Sequence, residues 1–418
     1  MSLSSGAILV YILIYEDPVR FLTAILAVFF LGFGAYQAVR IALADGFYQD
    51  NSLDSTRTAV RLEPLNASYH ALLAEHLEST GKNSAAELQT ASQLSPYDAR
   101  FLNRLGFRAE VEQDYGAAVS LLLRAAQVDR GFRPRWALMN FYFRRNQDKD
   151  FWEWAKRTLA RSYGDLTPVF RLCWAAPASE DSVIEHVLPP DPDVHLRYLE
   201  YLNAEQEPPA AKRMALLVAQ ETNERSGVDA ALAFCNRVLQ TDPAAAISVW
   251  NMLCRRKLLP HESLDPTAGP VITNGTFGSK PTGKGFDWRI RSFDGMRVNS
   301  GPDTGLVLRF DGSQPEIFDV MEQPIPLVPG HRYQLTFTYQ LAPETVNSGL
   351  HWRLDGTSAG LIAASSVLKG AGLQEDTLTF TAGGERLAFL RLGFSRATGT
   401  VRWSGTATIR QVAIQPLP

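Results

Sequence analysis

The chain has 418 residues, enough for two or three domains at ~100 to 200 residues each and for a sizeable buried core. Apolar residues make up 45% and charged residues 20%, and 41 basic against 44 acidic side chains leave a net charge of -3, the balance of a folded chain and not a disordered one. That balance excludes a generic nucleic-acid binder, whose affinity would rest on excess positive charge. The three cysteines, Cys173, Cys235 and Cys254, are odd in number and far apart, which excludes a disulfide framework and a paired-cysteine zinc site.

The first predicted element is the run FLTAILAVFFLGFGAYQAV from Phe21 to Val39, which holds no charged residue and is bracketed by Arg20 and Arg40. About 20 apolar residues rising ~1.5 Å each cross a ~30 Å hydrocarbon core, so the run has the length of one transmembrane helix. An earlier apolar run, Ala7 to Tyr15, is too short to span; Glu16, Asp17 and Pro18 follow it, and Pro18 suits the first turn of the longer helix. A buried globular helix would carry a polar stripe, and a signal peptide would begin with basic residues and have a shorter apolar core. The flanking arginines are nearly balanced, with Arg20 on one side and Arg40 and Arg57 on the other, and barely set an orientation.

From Leu53 to Tyr163 the sequence predicts paired helices in a repeat. Ala59 is followed by LEP, Ala91 by LSP and Ala125 by VDR, with 32 positions between the first two alanines and 34 between the next two. Leu105 and Gly106 fall in the first helix of one unit, and Ala118, Leu122 and Ala125 in its second. A period near 34, with small residues between the helices and proline after the second, resembles the tetratricopeptide family, in which stacked units bury the face that no unit buries alone. A further second helix is read from Ala231, Phe234, Val238 and Pro243. Between Pro168 and Pro209 the prolines 177, 189, 190, 192, 208 and 209 predict irregular helices with loops.

Arginines and aromatics interleave from Arg133 to Arg157, and Arg135, Arg144 and Arg145 are candidates for contact with a protein partner. The helical spacing of Trp136, Phe143 and the FWEW aromatics also fits a second reading, rings filling the core between repeats.

At Pro260 to Pro270 the composition turns to a linker rich in turn residues. Beyond it, Leu306, Leu308 and Phe310, then Tyr333, Leu335, Phe337 and Tyr339, then Leu350, Trp352 and Leu354 alternate with other residues, and later runs end at TIRQVAI from Thr408 to Ile414. Period-two runs between Gly, Pro and Asp turns over ~150 residues predict an antiparallel β-sandwich. The NGTF containing Asn274, Gly275 and Phe277, the GFDW ending at Trp288, VPGHRYQLTF from Val328 to Phe337, SGLHWRL ending at Leu354 and a strand near the terminus resemble the jelly-roll carbohydrate-binding modules of bacterial glycan-active proteins. Such modules often carry acidic residues after the NG-Phe start and in the last strand, where they support calcium; Gly278, Arg410 and Gln411 stand at those places here, so no metal is expected.

If the large members of each alternation face inward, Gln334, Thr336, Thr338, Gln340, His351 and Arg353 line the opposite face, a surface of amides, hydroxyls and planar cations suited to sugar hydroxyls. Trp288 or Phe389 would supply a stacking plane, although Trp288 equally fits a core position. The sequence shows no phosphate loop, metal-spaced histidine pair or nucleophile motif; Asp287, Glu316, Asp319 and Glu322 are the carboxylates from which a glycosidase pair would have to come.

The organisation expected is therefore an anchor segment over 1–45, a tetratricopeptide-like helical domain over 46–260, a linker over 261–270 and a carbohydrate-binding-module-like sandwich over 271–418. Together the resemblances imply a non-catalytic bacterial inner-membrane scaffold without cofactor or metal, its soluble domains periplasmic, that binds polysaccharide and membrane partners in exopolysaccharide or O-antigen assembly. Two other readings stay open: an envelope adaptor binding only proteins, and a glycan hydrolase.

Overall fold

The computed structural model describes residues 18–160, 164–176, 182–205, 208–345 and 347–418. The Ala7 to Tyr15 run, Glu16, Asp17 and Pro177 lie outside them. The protein has the expected three-part order: an apolar N-terminal helix, a helical region, and a sandwich of two antiparallel sheets. It divides into two compact units, Met1–Tyr163 and Gly164–Pro418, described separately below.

In the first unit, α1 (Pro18–Gln49) runs without interruption through the apolar stretch and ten residues past Val39. Its apolar side chains are exposed along the span, while Ala44 is fully buried against Ala59 and Tyr69. Helix α1 thus ends as a member of the repeat array. The pairs continue as α2 (Leu53–Leu62), α3 (Ala67–Ser79), α4 (Ala85–Leu94), α5 (Ala99–Val111), α6 (Tyr115–Val128), α7 (Phe132–Arg144) and α8 (Asp148–Leu159). Four of them begin on capping side chains that satisfy otherwise orphaned amides: Ser52, Asn66, Asp98 and Asp114. Ala59, Ala91 and Ala125 are all fully buried, as the repeat predicts. Gly106 shows why the first helix needs a hydrogen there: a Cβ would lie 2.8 Å from Leu122, the buried leucine of the partner helix.

The second unit begins with α9 (Thr167–Ala175), a π-turn at Val183–Val187, and α10 (Pro192–Glu205), α11 (Pro208–Glu221), α12 (Arg225–Val238) and α13 (Pro243–Arg255). The expected irregularity is present in the nine-residue α9, the π-turn and the loop holding Pro189 and Pro190, but α10 and α11 are regular helices. Pro168, Pro192, Pro208, Pro209 and Pro243 sit in first turns, where a missing N–H costs nothing and the fixed φ suits the helix. Arginines bridge neighbouring pairs at the repeat spacing in both units: Arg104 donates to the Ala71 carbonyl 33 residues back, Arg144 to Glu110, Arg237 to the Asn203 carbonyl and Arg256 to the Thr222 carbonyl, each 34 back.

The strands are β1 (Arg289–Ile290), β2 (Met296–Gly301), β3 (Gly305–Asp311), β4 (Ile317–Pro326), β5 (Arg332–Ala342), β6 (Leu350–Gly356), β7 (Leu361–Ala364), β8 (Leu373–Thr381), β9 (Leu387–Ser395) and β10 (Ser404–Leu417). One sheet has the order β1-β4-β9-β6-β7 and the other β2-β3-β10-β5-β8. Leu335, Phe337, Tyr339, Leu350, Trp352 and Leu354 all point into the core between them, as the alternation predicts.

The segment read as a linker is fastened down. Asn251 bonds both the N–H and the carbonyl of Leu264 at 2.8 Å, and Tyr333 donates to the Pro266 carbonyl. Trp250 of α13 stacks on His261 and meets Phe286 edge-on, Asn236 of α12 accepts from the Gly285 amide at 2.7 Å, and Lys284 pairs with Asp229. Gly285 is left-handed at φ +57, and a Cβ there would lie 2.5 Å from the Trp250 ring.

Candidate functional site

The outward face of β4, β9 and β6 carries the densest functional chemistry of the sandwich. In β9, Ala388, Leu390, Leu392 and Phe394 face the core, so Phe389, Arg391 and Gly393 face out. Register then sets three rows: Glu322, Arg391 and Arg353; Pro324, Phe389 and Asp355; Asp319, Gly393 and His351. The first row places two guanidinium groups directly opposite each other, which is destabilising unless carboxylates intervene.

Three do. Arg391 donates to Glu322 at 3.0 Å and to Asp355 at 2.5 Å, and Arg353 donates to Asp355 at 2.9 Å and to Asp319 at 3.1 Å. Arg291 lies 3.7 Å from Glu322 at the margin. Burial disfavours the Arg391 cation, but the bonds to Glu322 and Asp355 outweigh it and hold its affinity for the proton above the ordinary value. The carboxylate side chains are 15–18% exposed and the two guanidinium side chains 24% and 30%, so the lattice is held by lateral bonds across the strands and stays partly exposed. Planar donors and acceptors in a fixed array match the vicinal hydroxyls of a sugar. Phe389 stands at one edge, its ring centroid 5.4 Å from the Arg391 guanidinium carbon and half-buried. At the other edge the His351 ring lies over Gly393, where a Cβ would come within 3.3 Å of it.

The predicted ligand face is therefore corrected in composition. Gln334, Thr336, Thr338 and Gln340 do point outward, but from β5, in the other sheet. They join Thr377, Glu375 and Thr379 of β8 in a surface of hydroxyls, amides and a carboxylate on the far side of the sandwich from His351 and Arg353. Alternation distinguishes inside from outside and cannot say which of two outsides; the chain changes sheets between Ala342 and Leu350.

Trp288 is corrected outright: it is fully buried, 5.4 Å from Phe277 and 6.0 Å from Trp352 between ring centroids, and its indole N–H donates to the Asn274 carbonyl. The NGTF motif is likewise architectural. Gly275 lies so close to the last strand that a Cβ would sit 2.2 Å from the Val412 carbonyl oxygen, and Phe277 is core. Asp287 is buried, accepting from the Thr282 amide and hydroxyl and the Trp288 amide, and Glu316 pairs with Arg396 away from the lattice. Of the four carboxylates considered for glycosidase chemistry, only Asp319 and Glu322 share a surface, and both are held by arginines.

The remaining candidates serve the array in the first unit. Arg144 makes two bonds to Glu110 at 2.8 and 2.7 Å, Arg145 covers the Tyr115 ring at 3.8 Å, and Arg135 donates to the Arg157 carbonyl. They tie helix to helix and do not converge on one external patch. Burial pushes the thiols of Cys173 and Cys254 up to about 12 and that of Cys235 higher still, so none is poised as a nucleophile. Among the described residues no group of three or more His, Cys, Asp or Glu is disposed to hold a metal ion.

Sequence reasoning missed Arg391, Asp355 and the clustering of Asp319 with Glu322. The signal present was the outward parity of Arg391 with Phe389 and of Asp355 with Arg353.

No family model matches the chain, and no curated protein matches it. Among solved structures it is similar to a family 4 carbohydrate-binding module (19% identity, 35% of this chain and 99% of that one, TM-score 0.28) and to the N-terminal cellulose-binding domain of Cellulomonas fimi β-1,4-glucanase C (19%, 36% and 99%, TM-score 0.26). It is also similar to the Pseudomonas aeruginosa protein pilF (19%, 54% and 99%, TM-score 0.27).

Proposed function

We propose that the protein is a non-catalytic scaffold held in the bacterial inner membrane by α1, with its soluble parts periplasmic, and that its sandwich binds polysaccharide on the outer face of β4, β9 and β6 beside an assembly or export partner. The observation that carries the reading is the Arg353, Asp355, Arg391, Glu322 and Asp319 lattice flanked by Phe389, a surface with both polar complementarity and a ring for a sugar face. Its carboxylates are engaged by arginines, which suits hydrogen-bond acceptance. An open sheet face leaves much of a bound chain hydrated, so the affinity is weak. The charge-free stretch of α1 from Phe21 to Val39, with its apolar side chains exposed, supports the anchor.

The test is titration of the full-length protein in detergent with envelope polysaccharides by calorimetry. Phe389→Ala and the pair His351→Ala with Arg353→Gln should each weaken binding about tenfold, equivalent to ~1.4 kcal/mol, with unchanged near-UV circular dichroism. Gln340→Ala on the opposite sheet should bind as the parent does. A parent that binds no glycan, or a Phe389→Ala variant that binds equally well, defeats the sugar-binding reading in favour of a protein adaptor. Release of reducing ends from any of these polysaccharides would defeat the non-catalytic one.

A further inference from the structure

In the first unit, consecutive helices alternate in direction, so the turns after α2, α4 and α6 return toward the end at which α1 leaves its apolar span. The first turn is pinned there by two bonds. Arg40, the first residue past the charge-free run, donates to Glu63 at 2.7 Å, and the His70 Nε2–H donates to the Pro64 carbonyl at 2.8 Å. Directly after these fastenings Leu65 projects outward, 78% exposed. One repeat later Tyr97, after Pro96 in the equivalent turn, is 86% exposed. Ile41, Asp45, Glu63, Leu65, Leu94 and Ser95 line one surface pocket of ≈ 470 Å³, so the second turn lies at the level of the first residues beyond the span. A neighbouring pocket joins that turn to the third, where Asp129 and Arg133 stand, and both Arg130 and Arg133 are exposed.

Two large side chains at equivalent positions of successive turns, both in water and both level with the end of a membrane span, are a poor arrangement for a solvated edge and a good one for a bilayer interface. Leucine gains from acyl contact, tyrosine favours the headgroup region, and arginines pair with lipid phosphates. We propose that the α2–α3, α4–α5 and α6–α7 turns form a membrane-apposed edge. Leu65 and Tyr97 seat in the interface, and Arg130 and Arg133 face anionic headgroups. The array would then lie against the bilayer and not stand off it. This inference rests on the anchor part of the proposed function and is independent of the sugar-binding part.

The test uses the full chain reconstituted into phosphatidylethanolamine and phosphatidylglycerol vesicles, with an environment-sensitive fluorophore on single introduced cysteines and nitroxide-labelled lipids as quenchers. The native thiols are buried and resist labelling. Leu65→Cys and Tyr97→Cys report the edge. Val111→Cys, 82% exposed at the far end of α5 and about 20 Å from Tyr97, reports water, and Phe30→Cys reports the span. The expected result is headgroup quenching at 65 and 97 at least twofold stronger than at 111, with deep-chain quenching at 30. Quenching at 30 with 65 and 97 indistinguishable from 111 overturns the edge and leaves the anchor standing. No quenching at 30 overturns the anchor and the edge with it.

Discussion

Gly285→Ala should loosen the hold of α12 and α13 on the sandwich. The residue is left-handed, which costs an L side chain ~1 to 2 kcal/mol. The new methyl would also lie 2.5 and 2.6 Å from Trp250 Cζ3 and Cε3 and 3.3 Å from a Leu232 methyl, so the indole must move by most of an ångström. Overpacking of that kind costs ~1 to 3 kcal/mol, giving ~2 to 5 kcal/mol in all. At ~2 to 4 °C per kcal/mol for a unit of this size, the transition should fall by at least several degrees. Gly283→Ala is the control, since its φ is +71 but nothing lies within 4 Å of the added carbon, so it carries backbone strain alone. Calorimetry of the full chain with near-UV circular dichroism reads both variants. If Gly285→Ala melts no lower than Gly283→Ala and keeps the parent's aromatic spectrum, the Trp250 contact does not hold the helices to the sandwich.

Trp352→Ala should destabilise the sandwich by ~3 to 5 kcal/mol, because the side chain is fully buried between Trp288 and Phe337; chemical denaturation measures it. Glu385 accepts from the Thr357 hydroxyl and from the amides of Thr357, Ser358 and Ala359, bonds that hold its carboxyl below the usual range. A depressed carboxyl contributes stability above its unfolded value and loses it as pH falls through the folded one, so the β6–β7 turn should loosen in acid below about pH 4.5. Glu385→Gln should abolish that increment of acid sensitivity, read as the difference between parent and variant denaturation midpoints at pH 7 and pH 3.

Much of this architecture is readable from local chemistry. The alanines at 59, 91 and 125 mark close helix contacts because few other side chains fit, and the inward residues of β5 and β6 follow from a period of two. Strand β4 is harder to see, with Pro324 and Pro326 inside it. They are tolerated because β1 pairs only with Met321 and Glu322, so no strand ladder on that side needs the amides the prolines lack. The prolines that open α10 and α11, Pro192, Pro208 and Pro209, mislead in the opposite sense, being starters and not breakers. The candidate site was legible only in fragments. Arg391, Asp319 and Arg353 belong to three strands, and their meeting depends on strand order and on the register shift between Asp319 and Met321, neither of which a linear pattern carries.

The unbroken course of α1 has a mechanical consequence. In the anchored arrangement proposed above, a flexible tether would isolate the array from the bilayer, whereas Ala44 and the Arg40–Glu63 pair lock the helix that carries the apolar stretch into the first repeats. The tilt of that helix would then pass directly to the first repeats. Membrane thickness sets tilt through hydrophobic mismatch, so a change of bilayer thickness would alter how deeply the turns carrying Leu65 and Tyr97 sit without any joint having to bend. Inserting a helix-breaking Gly-Pro pair between Arg40 and Ala44 would uncouple the two.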